Sequence, residues 1–403
     1  MSSSLIDAVR PNLTIGIDVP ADLGTDGQRD LLHALAAVPD PRHRRGVRYR
    51  LASLLAVAVC AVLAGASTFA AIADWAADLD QPARTRLGFS GRIPVGSTVW
   101  RFLIRIDAQV LQAVLTGWLR HRLPARPAVG GRDGRVVIAV DGKVLRGAKL
   151  PDGRQVHLLS AYDTVSGIVL AQLAITAKSN EIPAFTPLLE QVQARLGSLA
   201  DTIIVADALH AQVGHAHAVA ARGGQLMVQV KANQPTLYAL LKQQPWAQVP
   251  VGHQTATVAT AAGNPHRQGA DPGHPRRARL PPRPAGRTDH PHPHHPGRQN
   301  HPGDGLPDRD PTRRPGAAAA AGRLGRPRMA IEDRFHWVRD VTLGEDAHQA
   351  RTGNGPAVAA VLRNTAIGYH RSNAEPNIAR ATRRANRRSR DLINAVTSAS
   401  RTQ

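Results

Sequence analysis

The sequence predicts an α/β protein in which a mixed β-sheet flanked by helices follows an all-α N-terminal region. Three observations carry this. Arg135 to Gly147 reads RVVIAVDGKVLRG, an apolar and mostly β-branched run meeting an acid, which is the pattern of a buried strand delivering Asp141 to its exit. The pattern recurs where Thr202 to Ala206 (TIIVA) leads into Asp207. From residue 134 onward such strands alternate with helical patterns, whereas the residues before it show helical spacing alone.

Residues 1–27 lack sustained periodicity and read as a disordered lead-in. A helical domain is expected over 28–123, beginning with QRDLLHALAAV. PDPRHRRGVRYR (39–50) follows, with five arginines around the turn-forming Asp40-Pro41, a segment that suits phosphate contacts or a solvated turn. Leu51 to Ala73 carries no charge and is long enough to cross a bilayer. It is rich in Ala, Gly65, Ser67 and Thr68 interrupt it, and no second span follows, so a buried helix or helix pair is expected. A polar joint (Asp78 to Arg86) and a helical pattern from Ser97 to Leu119 complete the domain.

After the linker PARPAVGGRDG (124–134), RVVIAVD, QVHLLSAYD (155–163) and GIVLAQLAI (167–175) read as an antiparallel meander. Pro183 opens a helix that ends at Gly197. TIIVAD, a helix over His215 to Arg222, the strand QLMVQVKAN (225–233) and a helix over Thr236 to Gln243 follow. The order βββαβαβ, with acids after the first and fourth strands, is that of a ribonuclease-H-like sheet. The first part of this catalytic core spans 134–254.

Residues 255–328 change character. Gly263 to Arg328 holds nearly half of the chain's 30 prolines, many arginines and the run HPHPHHP, and cannot bury enough apolar surface to offset chain entropy. A disordered insertion is expected there, with a histidine cluster that Pro interrupts. Residues 329–403 return to helical spacing and complete the core with helices and a basic tail. MAIEDRFHWVRD has an apolar face of Ile331, Phe335 and Val338, and two further helices follow, the last bearing Arg380, Arg383, Arg384, Arg387, Arg388 and Arg390.

The formal net charge of +21 points to a polyanionic partner, nucleic acid before membrane, or to a solvated basic surface. The single cysteine, Cys60, excludes an internal disulfide, and cytoplasmic residence is expected. Carboxylates gathered at strand ends commonly hold divalent cations. Hard oxygen ligands suit Mg2+ or Mn2+, and two ions about 4 Å apart activate a nucleophile and stabilise the leaving oxygen of a phosphodiester. No histidines or thiols stand at zinc-site spacing around Asp141 or Asp207. Strand-end aspartates also cap turns, so the signal is of moderate specificity. Glu332 is the expected third acid, with Arg339 two turns along the same helix at a DNA phosphate or in an ion pair with Asp333 or Asp340. Glu345 and Asp346, after Gly344 in a loop, compete with it.

The segments VIAVDGKVLRG, HLLSAYD, ITAKSNEIPAFTPLLEQV, IIVADALHAQ, VQVKANQPTL, IEDRFHWVRDVTLGEDAHQ and RTGNGPAVAAVLRN resemble, in order, insertion-sequence transposases of the DDE type, closest to the H-repeat-associated group. PDPRHRRGVRYRL and TFAAIADWA resemble that group's N-terminal helical domain. The likeness covers nearly the whole chain except about 255–328. It implies a ribonuclease-H-like catalytic domain using two Mg2+ (or Mn2+) ions, with Asp141, Asp207 and Glu332 as the catalytic acids and metal ligands. The family's basic residue seven positions after the glutamate is Arg339 here instead of lysine, and the arginine four positions before it is Arg328. Gly325 and Met329 stand where the family has tyrosine and tryptophan. Relatives carry a strand-rich insertion where 255–328 stands, so two compensating frameshifts are the expected origin of that interval. Translating the gene's other frames tests this, and shifted frames without alternating strand pattern would refute it.

The expected activity is metal-dependent strand cleavage at the element's ends, then attack of the freed 3′-hydroxyl on target DNA. Lys143, Lys231, Arg328 and Arg339 are the expected phosphate contacts, on double-stranded DNA of terminal repeats and target, with the protein a homo-oligomer on DNA. The alternative from another class is a degenerate, catalytically inactive remnant that only binds DNA. An RNA-processing nuclease of the same fold has no RNA-binding motif in its support.

Overall fold

The computed structural model of the protein describes residues 30–123, 135–150, 153–175, 180–231, 234–245, 331 and 335–398. The expected lead-in at 1–27 and the Pro/Arg/His-rich stretch at 255–328 lie outside the described residues.

The helical region starts with α1 (Leu31–Leu35), whose cap Asp30 accepts a hydrogen bond from the Leu32 amide at 2.8 Å. In α2 (Leu51–Leu63) twelve of the 13 residues are buried and Arg50 gives no side-chain cap, so burial on every side holds this helix. Each buried Leu or Val is worth roughly 1.5–3 kcal/mol. The uncharged run then breaks at Gly65, where φ is +99°, a backbone angle that favours glycine. Thr68 accepts from the Ala71 amide and starts α3 (Phe69–Ala77). The run is thus a helix pair, and no single helix among the described residues is long and apolar enough to cross a membrane. α4 (Gln81–Arg86) follows. The pattern read over 97–119 is two helices, α5 (Gly96–Leu103) and α6 (Ala108–His121), bent by 98°. Asp107 causes the break by capping the Gln109 and Val110 amides.

The sheet has the order β3-β2-β1-β4-β5, from β1 (Val136–Lys149), β2 (Gln155–Asp163), β3 (Val169–Ile175), β4 (Thr202–Ala206) and β5 (Gln225–Val228). β1, β2 and β3 form the expected antiparallel meander, and β4 and β5 run parallel to β1. Parallel pairing requires crossovers. These contain α7 (Glu181–Leu196) and α8 (Val213–Ala220). This is the ribonuclease-H-like arrangement. α7 begins before Pro183 because Asn180 accepts from the Ile182 amide at 3.0 Å, and Gly197 ends it at φ +80°. β5 stops short of the expected Asn233, and α9 (Pro235–Lys242) follows.

After Ile331 and the helical segment from Phe335, which ends as a π-helix over Val338–Thr342, come α10 (Gly355–Ser372), α11 (Ile378–Arg387) and α12 (Ser389–Thr397). The basic stretch read as one helix is therefore two, parted at Arg388. α11 turns Ile378, Ala381 and Thr382 inward and leaves Arg380, Arg383, Arg384 and Arg387 exposed. α10 is buried along most of its length and packs on α2, α6, β2 and β3. One apolar cluster accordingly runs from Leu31 through the sheet to Val396. Trp118 of α6 stacks flat on Tyr369 of α10 at 5.8 Å within it.

Candidate active site

The parallel β1–β4 ladder pairs Val136 with Thr202 and continues to Ala139 with Val205. The same offset separates Asp141 from Asp207, so the register aims the two acids at matching positions two residues beyond the last pair. Neighbouring strands lie about 4.8 Å apart and alternate residues share a face, which sends both carboxylates to one face of the sheet. One expectation needs correction. β1 does not end at Asp141 but runs to Lys149, because β2 keeps pairing with it; Asp141 itself pairs with Ser160. Only the parallel side is an exit. A quarter of the Asp141 side chain is exposed, and the Asp207 carboxylate accepts a hydrogen bond from the Leu209 amide at 2.9 Å.

The segment around Phe335 covers the same face. Phe335 stacks at 5.0 Å on Tyr162, the cross-strand partner of Ala139. This brings His336 Nδ1 to 3.4 Å from Asp141 Oδ2. Burial, and then the charges of Arg339 and Lys143, push the His336 pKa down to about 3, so the imidazole beside Asp141 is neutral. Lys143 Nζ lies 2.7 Å from Asp340 Oδ2, and burial outweighs that bond in raising the Asp340 pKa. Glu345 is almost fully buried, 2.8 Å from Arg339 and 3.5 Å from Arg363. Burial disfavours its charge, but the two guanidiniums prevail and lower its pKa. Arg363 also donates to the Ser67 carbonyl at 2.9 Å, which ties this ionic cluster to the helical region.

The expected site residues thus meet different fates. Asp141 and Asp207 each lie two residues beyond the last paired position of the β1–β4 ladder. Glu332 and Arg328 lie outside the described residues. Lys231 is exposed just past β5. Lys143 and Arg339, expected at phosphates, are engaged within the protein. Lys143 is spent on Asp340, and Arg339, with 0% of its surface exposed, is sealed between Glu345 and the Phe335 ring. Arg339 does sit in an ion pair, with Glu345; of the acids expected as its partner, Asp340 pairs with Lys143 and Asp333 lies outside the described residues. Glu345, the competing acid, is neutralised by that pair, and Asp346 lies 3.5 Å from Arg146.

Among the described residues no group of three or more His, Cys, Asp or Glu side chains is arranged to hold a metal ion. The donors that Asp141 and Asp207 offer nevertheless fit a divalent cation. They are carboxylates, hard oxygens suited to Mg2+ or Mn2+, and both residues are half-buried.

Residue reading missed a second cluster, on the opposite face of β1. Glu181 Oε1 lies 3.1 Å from His157 Nε2, and Oε2 lies 3.3 Å from His210 Nε2. Burial opposes the Glu181 charge, but hydrogen bonds from the two imidazoles overcome it and hold the pKa down to about 2. In sequence Glu181 is an ordinary acid of a helix's first turn, and no local spacing links it to either histidine. His336 was missed for the same reason.

The family profile described as "Transposase DDE domain" matches residues 132–368, and that described as "DDE_Tnp_1-associated" matches residues 32–119. The chain belongs to the DDE transposase family. The DDE profile spans both aspartates, the segment around His336 and most of α10. "Putative transposase YncI" of Escherichia coli strain K12 is 30% identical to this DDE transposase over 214 residues, covering 52% of this chain and 81% of that protein. The protein of the same name in Escherichia coli O157:H7 is 30% identical, with 52% of this chain and 51% of that protein covered. "H repeat-associated putative transposase YhhI" of Escherichia coli K12 is 28% identical over 211 residues, with 52% and 53% covered. The chain thus spans about half the length of two of these relatives. Among solved structures, a piggyBac transposase synaptic complex with hairpin DNA aligns over 94% of this chain and 84% of that one, with a TM-score of 0.37 and 9% identity.

Proposed function

We propose that this DDE transposase cuts DNA at the ends of its element and joins the freed ends to target DNA. The observation that supports the reading is the β1–β4 register, whose offset is the one that separates Asp141 from Asp207 just beyond the ladder's last pair. Glu332, on the segment whose neighbour His336 reaches Asp141, is proposed as the third acid. When bound there, Mg2+ or Mn2+ would supply Lewis acidity at the phosphodiester and an activated nucleophile. The chain's own part is to hold the two carboxylates in place, Asp207 by the hydrogen bond that it accepts from the Leu209 amide and Asp141 by the strand that carries it.

The DNA is proposed to be double-stranded, comprising terminal repeats and target. Lys231 and Arg328 are the proposed phosphate contacts, aided by the exposed arginines of α11 and by the helical region over 28–123. The core is proposed to comprise 134–254 and 329–403, interrupted by 255–328, and to act as a cytoplasmic homo-oligomer on DNA. The test is Mg2+-dependent cleavage of DNA carrying the element's terminal repeats by the wild type and by Asp141→Asn. Cleavage by the wild type alone is expected. Equal DNA binding by both with cleavage by neither would sink the catalytic reading and leave a DNA-binding remnant.

A further inference from the structure

We infer that Glu181 is a positioning residue that holds Asp141 and Asp207 at a set separation, clamping the chain behind each of them from the opposite face of the sheet. The inference rests on the proposed metal-binding role of the two aspartates.

The two carboxylate oxygens of Glu181 face two different strand exits. One contacts His157, which lies on β2 opposite Val144 and shares a face with Gly142, the residue after Asp141. The other contacts His210, the last residue of the short turn Ala208–His210 that Asp207 caps with its own side chain. Gly142 is what lets the carboxylate approach. A Cβ at that position would collide with the Glu181 carboxylate and with His157 Nε2. The carboxylate therefore lies against the backbone one residue beyond Asp141 while it grips the turn three residues beyond Asp207.

The His210 end of this bridge and the helix start that carries Glu181 are both packed. His210 is fully buried, with its ring packed 4.9 Å from that of Phe185, and Phe185 stacks on His215 at 4.1 Å. His215 Nε2 is 3.0 Å from the Ile182 carbonyl, and Asn180 caps the same turn of α7. Glu181 thus issues from a fixed helix start. The β1–β4 ladder makes its last pair at Ala139 and Val205, so backbone pairing alone does not reach the acids. A carboxylate held by two imidazoles, one from each side, supplies the cross-link that the ladder lacks there.

The test is Mn2+ binding to the full chain, followed by the electron paramagnetic resonance signal of free Mn2+, well below each variant's melting temperature. Glu181→Gln keeps the shape but presents an amide N–H to one of the two imidazoles. It is expected to weaken Mn2+ binding about tenfold or more, as loss of groups that orient metal ligands commonly does. His157→Gln, at the more exposed end of the bridge, is expected to weaken it in the same direction, which keeps the test decisive if Glu181→Gln fails to fold. Glu190→Gln, on the same helix but in a surface pair with Arg222, is expected to bind as the wild type does. Wild-type affinity in Glu181→Gln or in folded His157→Gln, alongside lost binding in Asp141→Asn, would overturn the clamp and leave the metal reading standing. A wild-type chain that binds no Mn2+ would overturn both.

Discussion

Lys143 Nζ stands 2.7 Å from Asp340 Oδ2, joining β1 two residues past Asp141 to the helical segment that follows Glu332. The pair is mostly shielded, with side-chain exposures of 10% and 27%, and Asp340 Oδ1 has no hydrogen-bond partner among the described residues. Lys143→Met would strand a carboxylate whose pKa burial already raises. Loss of one partner from a fully buried pair costs 3–5 kcal/mol, and about 2 kcal/mol is expected at this partly open site. Combined with Asp340→Asn the loss should shrink, with a coupling energy of about 1–2 kcal/mol in urea unfolding. Strictly additive losses would show that the pair does not couple β1 to the helix.

Arg339 separates a structural role from a nucleic-acid role. It is sealed against Glu345 with Arg363 as the second counterion. Arg339→Met should therefore cost about 3–5 kcal/mol of stability. The slope of log affinity for DNA against log salt should be unchanged for whatever fraction remains folded, because Arg339 neutralises no phosphate. Lys231→Ala should do the reverse, reducing that slope by about 0.9 while leaving stability nearly intact. A reduced slope in Arg339→Met would return Arg339 to the DNA.

These contrasts mark what the residue pattern could and could not carry. The strands around Asp141 and Asp207 were legible because burial on both faces writes a continuous β-branched run, but such a run leaves open the register between them. The breaks at Asp107 and Arg388 were less so, since the apolar spacing on each side of them is nearly in phase with one longer helix. Ion pairs were not legible at all. Arg339 has acids adjacent to it in sequence and at Glu345, and only the path of the loop after Leu343 decides which one meets it. The bridge from Glu181 to His157 and His210 likewise depends on three separate elements converging behind β1.

Stability should fall with acid through His348. Burial, with the nearby Arg363 charge and against the attraction of Glu345, pushes its pKa from 6.5 down to about 4, while its ring sits edge-on to Phe69 at 5.2 Å. The unfolded chain, with a pKa near 6.5, takes up the proton first. The contribution of neutral His348 is thus complete above about pH 6.5, declines as pH drops, and is lost near pH 4. The span corresponds to about 3 kcal/mol. Urea unfolding at pH 7, 5.5 and 4.5 should show a shallower decline for His348→Gln than for the wild type. Parallel curves would exclude His348 as the source.

Two glycines predict opposite signs for the same substitution. At Gly147 a Cβ would lie 2.5 Å from the His348 carbonyl oxygen and 2.7 Å from that of Asp346. Both obstacles are backbone, so neither can swing aside, and β1 would have to part from the loop that carries Glu345. Gly147→Ala should cost about 1–3 kcal/mol, as overpacking does. At Gly117, within α6, a Cβ would meet nothing within 4 Å, and the helical backbone there suits alanine. Gly117→Ala should stabilise by roughly 0.5–1 kcal/mol, because alanine loses less conformational freedom on folding. Thermal melts of the two variants in one buffer decide the matter. A Gly147→Ala protein as stable as the wild type would mean that the loop after Leu343 does not press on β1.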